Sequence, residues 1–221
     1  KLLIPRSLAK YLSFLHSHVR SEEANRRFFF EYIGRLFPRT DSRYALIEKA
    51  YDTAEREFHL HKKLRDDGET LYFDHLRSAA LIGIVYLRLR DENLIAALLL
   101  HDIIEDIPGW DVPRLTREFN ADIAELVWWV SKDSIGDHLR TKQDVETHFH
   151  HKLARAPRRA VIIKLCDRLH NLTTLWTHRV EKIRHKVSET RHFIMPHAQE
   201  HLVLMHELEA VRELVEHRYG I

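Results

Sequence analysis

Residues 94–106 read LIAALLLHDIIED, and this stretch decides the fold. Seven apolar residues, Leu94 to Leu100, run without a break into His101, Asp102, Glu105 and Asp106. The spacing predicts one continuous helix. Residues four apart share a helix face, so His101 is expected under Glu105 and Asp102 under Asp106. The apolar run anchors the rod in a core, and its far end is polar and competent to bind metal. A His-Asp pair alone says little in a chain with 18 histidines, so its context must carry the reading.

Composition narrows the class. At 221 residues the chain is one ordinary domain, or one with a small appendage. Hydrophobic residues make up 44% and charged residues 31%, which suits a globular protein. Only 6 glycines and 6 prolines leave little turn chemistry for a many-stranded sheet. Long periodic segments between sparse breakers therefore predict an all-α fold. The single cysteine, Cys166, excludes an internal disulfide framework and fits a reducing, cytoplasmic setting. A formal charge of +2 gives no footprint for nucleic acid. The opening KLLIPRSLAKYLSF is broken by Pro5 and Arg6, unlike a signal peptide, and no apolar run of membrane-spanning length occurs. The first residue is Lys1, so a segment ahead of it is allowed for.

In order along the chain, Leu8, Leu12, Leu15 and Val19 predict a helix over 7–19, and the Phe-rich face of 22–37 predicts a second, stopped by Pro38. Residues 1–40 are read as an N-terminal helical extension, with a helix-pairing homodimer surface as the lesser reading, and 41–221 as the main domain. Asp41 or Ser42 caps the next helix. A helix with His75 at its start follows the turn at Gly68. Beyond residues 94–106, Pro108 and Gly109 end the segment, Asp111 opens a short helix to Phe119, and 121–131 form another. Residues 133–157 read as a solvated, mobile segment; the spacing of His148, His150 and His151 does not align three ligands on one face. After Pro157, the run Val161-Ile162-Ile163 allows a strand, but Ala160, Lys164, Asp167 and Asn171 keep near-helical spacing and predict a buried helix. A polar segment and a helix from about 197 to 217 close the chain.

His75, His101, Asp102 and Asp167 each sit in or at the end of an apolar helix. A buried carboxylate without a partner costs several kcal/mol, so a shared cation is a natural solution. Two imidazoles and two carboxylates suit Mn²⁺, Fe²⁺, Zn²⁺ or Mg²⁺. Open positions on such an ion hold water and a phosphate oxygen, and the ion makes a hydroxide available at neutral pH.

These residues stand in motifs. Arg65 with Gly68-Glu69, Tyr72-Phe73-Asp74-His75, the run Ala96 to Asp106, and Ile163-Lys164-Leu165-Cys166-Asp167-Arg168-Leu169-His170-Asn171-Leu172 are similar to the R-x-x-G-E, Y-x-x-H, A-A-L-L-H-D-x-x-E-D and I-K-L-A-D-R-L-H-N-M blocks of one family. Ala50-Tyr51, Ala54 and Glu189-Thr190 extend the match. The chain resembles the HD-domain hydrolases, and within them the hydrolase domain of the RelA/SpoT homologues and the small alarmone hydrolases. The resemblance implies an HD-domain helical bundle. It implies one Mn²⁺ on His75, His101, Asp102 and Asp167, with Glu105 and Asp106 orienting or deprotonating the attacking water. It implies nucleotide contacts from Arg65, Lys164, Asn171 and Thr174, and removal of the 3′-pyrophosphate from ppGpp or pppGpp to give GDP or GTP.

The chain also departs from the family pattern. Leu76 stands for a proline, Asp66 for a basic residue, Thr173 for an arginine, and Ile194 to Leu202 for a different block. A second reading therefore keeps the metal and changes the substrate to another ribose-bound phosphate or pyrophosphate, as in ppApp, NADPH or a modified RNA end. A third is a non-catalytic nucleotide-binding regulator or antitoxin; the complete H…HD…ED…D set argues against it. No synthetase domain is expected in the residues after Pro196. Cys166 is expected as a small buried residue, and Arg168 and His170 in structural pairing off the Asp167–Asn171 face.

Overall fold

The computed structural model describes residues 2–15, 21–132 and 141–221. Among them the regular structure is helical, and the one β-feature is an isolated bridge between Leu64 and Leu71. The helices are α1 (Arg6–Ala9), α2 (Glu22–Leu36), α3 (Ser42–Leu60), α4 (Tyr72–Leu81), α5 (Glu92–Leu100), α6 (Ile103–Asp106), α7 (Val112–Glu118), α8 (Ala121–Val130), α9 (Lys142–Leu153), α10 (Arg158–Thr173), α11 (Val180–Glu189), α12 (Met195–His201) and α13 (Met205–Tyr219). Wider π-helical turns follow α4 at Ile82–Tyr86 and α11 at Thr190–Ile194. The expected all-α class is the observed one. No described helix is long and apolar enough to cross a membrane.

Helix α5 is the axis of the core. Its start is fixed by Asp91, whose side chain accepts from the Leu94 N–H. Every residue from Leu94 to Leu100 is buried, so this helix is apolar on all sides. It packs against α3, α4, α8 and α10. Each large aliphatic side chain buried there contributes roughly 2 kcal/mol of hydrophobic stabilisation. Close approach of the π turn after α4 depends on Gly83. A Cβ at that position would lie 2.8 Å from Leu98 Cδ1 and 2.9 Å from Leu89 Cδ1. Helix α10 crosses the same core and packs on α4, α5, α8 and α13. Three helices that carry the H, HD and D motifs thus meet at one place.

The predicted helix over 7–19 is shorter. α1 ends at Ala9, and the chain then turns so that Leu12, Phe14 and Leu15 are all buried; residues 16–20 lie outside the described residues. Tertiary burial wins over local spacing here. The Leu3 N–H donates to the Thr173 carbonyl at 2.7 Å, which ties the start of the chain to the end of α10. The aromatic face of α2 is core, as its spacing suggested: the Phe29 and Phe30 rings lie 5.0 and 5.2 Å from Tyr51.

Two further segments differ from expectation. Residues 142–153 form α9 rather than a solvated segment; residues 133–140 lie outside the described residues. Thr141 and Asp144 make a reciprocal capping box, and Phe149 and Leu153, four apart, bury one face. The polar composition hid that two-residue face. The C-terminal helix is also split. Leu202 and Leu204 both adopt left-handed backbone, with φ of 53° each. That break is unfavourable for a leucine, but it turns Val203 and Leu204 into the core.

A buried histidine–aspartate cluster and the cleft beside it

His75 comes from the first turns of α4, His101 from the end of α5, and Asp167 from the middle of α10; all three are buried. One ligand-type atom from each lies within 4.8 Å of the others. His75 Nε2 is 3.1 Å from Asp167 Oδ1, and His101 Nε2 is 3.8 Å from the same oxygen. Asp102 closes the group, with Oδ2 3.2 Å from His101 Nε2 and 3.8 Å from His75 Nε2.

The predicted continuous helix through this stretch is broken. α5 ends at Leu100, Asp102 sits at φ −102°, ψ 3°, and α6 begins at Ile103. On a regular helix, adjacent side chains point about 100° apart. The break at Asp102 removes that obstacle and lets His101 and Asp102 reach the same point. A single turn then restores helical bonding, with the Asp106 N–H donating to the Asp102 carbonyl at 2.9 Å.

The hydrogen bonds orient the imidazoles. His101 Nδ1 is 2.8 Å from the Leu98 carbonyl, which can only accept, so Nδ1 carries the proton. His75 Nδ1 is 2.7 Å from His170 Nδ1. Both Nε2 atoms are buried and make no hydrogen bond. Burial opposes a charge on His101, but Asp102 and Asp167 outweigh it and push the imidazole up to about 10. Burial and Arg65 push His75 down to about 4. Burial likewise opposes ionisation of the two aspartates, yet Asp102 is held below the carboxylate range by His101, and Asp167 by Lys164 and the imidazoles. Two nitrogens without a hydrogen-bond partner face two carboxylates, and a cation that displaces the His101 proton would supply the positive charge the carboxylates call for. The N₂O₂ donor set fits a divalent cation.

Glu105 and Asp106 flank the cluster. Glu105 accepts from the Lys132 backbone N–H; burial and the charge of Asp102 push its carboxyl up to about 7. Asp106 is raised by burial and Asp102, while Lys63 Nζ at 3.3 Å counteracts. A carboxyl that titrates near neutrality beside a metal-competent cluster is suited to proton transfer.

Beside the cluster lies a cleft of about 200 Å³ lined by Arg65, Tyr72, Asn171, His178, Lys182 and Lys186 among others. The structure brings Arg65, Asn171 and Thr174 together: Arg65 Nη2 donates to Asn171 Oδ1 at 2.8 Å and to Thr174 Oγ1 at 3.1 Å. Asn171 in turn donates to Asp167. Lys164 does not line this cleft. Its amine lies 2.7 Å from Asp167 Oδ2, on the carboxylate side of the cluster. Asp66 lines the cleft too, paired with Lys182 and 2.9 Å from His178 Nε2.

Several residues escaped the sequence reading. Tyr72 donates its hydroxyl to Asp102 Oδ2 at 2.7 Å. Lys182 and Lys186 add positive charge to the cleft, and their spacing of four was a visible signal. Burial and Arg168 push Lys186 down to about 8. Arg168 pairs with Glu189 at 2.8 Å as expected of a structural residue, whereas His170 touches His75 itself. Among the histidines of α9, His150 sits 3.5 Å from Glu189 and stacks on Phe193 at 3.9 Å, and no cluster of metal-ligand type forms there among the described residues. Cys166 is buried, and burial pushes its thiol far up, away from the thiolate a metal needs.

The HD domain family pattern matches residues 50–196. The guanosine-3′,5′-bis(diphosphate) 3′-pyrophosphohydrolase of Haemophilus influenzae is 34% identical over 169 residues, which cover 72% of this chain and 24% of that protein. The bifunctional (p)ppGpp synthase/hydrolase SpoT of Escherichia coli K12 is 35% identical over 153 residues, covering 67% of this chain and 21% of that protein. The chain therefore spans about a quarter or less of the length of these relatives. A solved structure of a metazoan orthologue of SpoT, described as hydrolysing ppGpp, superposes with a TM-score of 0.66 at 23% identity, over 80% of this chain and 96% of that one. That likeness is one of fold.

Proposed function

The chain belongs to the HD-domain family, and from there we propose that it is a metal-dependent phosphohydrolase that removes the 3′-pyrophosphate of ppGpp or pppGpp. The observation that carries the proposal is the pair of buried, unpartnered Nε2 atoms of His75 and His101 aimed at Asp102 and Asp167, next to a basic cleft. Its substrate class follows from the named activities of the relatives and from the cationic lining.

His75, His101, Asp102 and Asp167 would hold the ion, with Mn²⁺ the expected metal. When bound, it polarises a phosphoryl oxygen and acidifies a water. Glu105 takes the proton from the attacking water, and Asp106, held by Lys63, orients that water. As the water oxygen bonds to phosphorus, the bond from phosphorus to the 3′-oxygen breaks and that oxygen takes up a proton, returned from Glu105 or from solvent, giving the 3′-hydroxyl of GDP or GTP and pyrophosphate. Arg65, Asn171 and Thr174 hold the nucleotide in one orientation, which lowers the entropic part of the barrier. Lys182 and Lys186 attract its phosphates. Lys164, 2.7 Å from Asp167, keeps that carboxylate ionised at the edge of the cluster.

One observation favours a second substrate within the same chemistry. Asp66 already neutralises Lys182 and faces His178 in the cleft, so NADPH, with a single phosphate on its ribose, competes as a substrate with fewer phosphate demands there, and ppApp, with the same phosphates as ppGpp, competes through its base. Steady-state kinetics on ppGpp, ppApp and NADPH with Mn²⁺ test this. A kcat/KM for ppGpp at least tenfold above the other two supports the alarmone; the reverse order assigns the site to the other nucleotide.

A further inference from the structure

We infer that His170 is a positioning residue that selects the metal-competent tautomer of His75. The inference rests on the metal reading above and concerns how this chain prepares its site.

A neutral imidazole offers a lone pair on one nitrogen and a proton on the other. For His75 to give its Nε2 lone pair to a cation, its proton must sit on Nδ1. The atom 2.7 Å from that Nδ1 is His170 Nδ1. One of the two nitrogens donates and the other accepts. If His170 accepts, His75 carries Nδ1–H and its Nε2 is free for metal. If His170 donates, the His75 proton moves to Nε2 and points at Asp167 Oδ1, 3.1 Å away, where it blocks the ion. The direction of this one hydrogen bond therefore decides whether the site is competent. His101 needs no such selection, because the Leu98 carbonyl can only accept.

The surroundings favour His170 as the acceptor. Its proton then lies on Nε2. The imidazole lines a small cavity, about 50 Å³, together with Asp67, Asp74, Ser78 and Thr70. Leu2 and Trp176 line the same space, which is large enough for water; the carboxylates and hydroxyls of its wall are the groups that can take an Nε2–H, directly or through that water. His170 stands three residues after Asp167 on α10, and one helix thus supplies both a carboxylate of the cluster and the partner that orients an imidazole from α4. Both rings are buried, with centroids 4.9 Å apart and planes inclined by 35°, so neither swings freely. Partners of metal-ligating histidines matter by about 10–100-fold in metal affinity.

The test compares wild-type protein with His170→Phe and His170→Asn. Phenylalanine keeps a ring and removes the acceptor; asparagine keeps an acceptor near the Nδ1 position. Calorimetric titration with Mn²⁺ reads affinity, and circular dichroism confirms the fold of each variant. We expect His170→Phe to lose 10–100-fold in affinity and His170→Asn to stay within about threefold of wild type. Long-range ¹H–¹⁵N spectra of the Zn²⁺-loaded wild type should show His75 protonated at Nδ1 and His170 at Nε2. Unchanged Mn²⁺ affinity in His170→Phe, or a Zn²⁺-loaded His170 protonated at Nδ1, overturns the inference alone. Failure of the wild type to bind Mn²⁺ overturns the metal reading and this inference with it.

Discussion

Arg65, in the turn after α3, donates to Asn171 on α10 at 2.8 Å, although 106 residues separate them. The same guanidinium reaches Thr174 and lies over the Tyr72 ring at 5.5 Å. It therefore joins the wall of the cleft to the helix that carries Asp167. Arg65→Ala removes a charged hydrogen-bond donor from the wall of the cleft proposed to hold the nucleotide. A contact of that kind is worth about 1.5–3 kcal/mol, so KM for ppGpp should rise roughly 10–100-fold with a smaller change in kcat. Steady-state kinetics separate the two, and an unchanged KM would remove Arg65 from the substrate site.

Glu105 supplies the pH dependence. Its carboxyl is raised to about 7 by burial and by Asp102. A general base works deprotonated, so kcat/KM should rise with pH through this ionisation and flatten above it. A bound cation favours the carboxylate, which places the acid limb at or below pH 7. Glu105→Gln should lower kcat by about 10²–10⁴ and abolish that limb. A variant with near-wild-type kcat and the same acid limb would show that the proton goes elsewhere.

The buried ion pair of Arg168 and Glu189 should contribute to the loss of stability in acid. Burial opposes the charge on Glu189, but Arg168 and Lys186 hold its carboxyl far below the ordinary 4.5. A depressed folded-state value means the stabilisation is present above pH 4.5 and is lost as pH falls toward the folded-state value. Glu189→Gln leaves Arg168 buried without its counter-ion, with Thr190 and the Lys186 carbonyl as its remaining acceptors, which costs up to about 3–5 kcal/mol at neutral pH. The variant should also lose stability less steeply below pH 4.5 than the wild type. Urea unfolding at pH 7 and in mild acid measures both slopes, and equal slopes would place the acid sensitivity in other groups.

Metal should stabilise the fold by mass action. At a Mn²⁺ concentration about 100 times its Kd, the native state gains about 2.7 kcal/mol. Thermal unfolding should shift upward accordingly in the wild type and not in Asp167→Ala. An equal shift in both proteins would mean that the ion binds outside the cluster.

Much of this architecture was legible in the chain. The apolar run Leu94–Leu100 announced a core helix because it has helical length and no breaker, and α10 was readable against its β-branched run because Ala160, Lys164, Asp167 and Asn171 kept one spacing. Motif resemblance named His75, His101, Asp102 and Asp167, which the structure gathers at one point. What spacing hid was backbone detail. The break at Asp102, which lets neighbours converge, leaves no periodic trace, and neither do the left-handed Leu202 and Leu204. The two-residue apolar face of α9 was too small to stand out among charges. His170 was expected in structural pairing; what spacing could not give was its partner, His75, on another helix and 95 residues away in sequence.

Hydrolysis at the histidine–aspartate cluster has a direct chemical readout. The direct measurement is GDP and pyrophosphate release from ppGpp with Mn²⁺, then with EDTA, beside Asp167→Ala. Metal-dependent hydrolysis there gives equal amounts of the two products with Mn²⁺, and none with EDTA or from the variant. A wild-type chain that binds Mn²⁺ and releases neither product would contradict it.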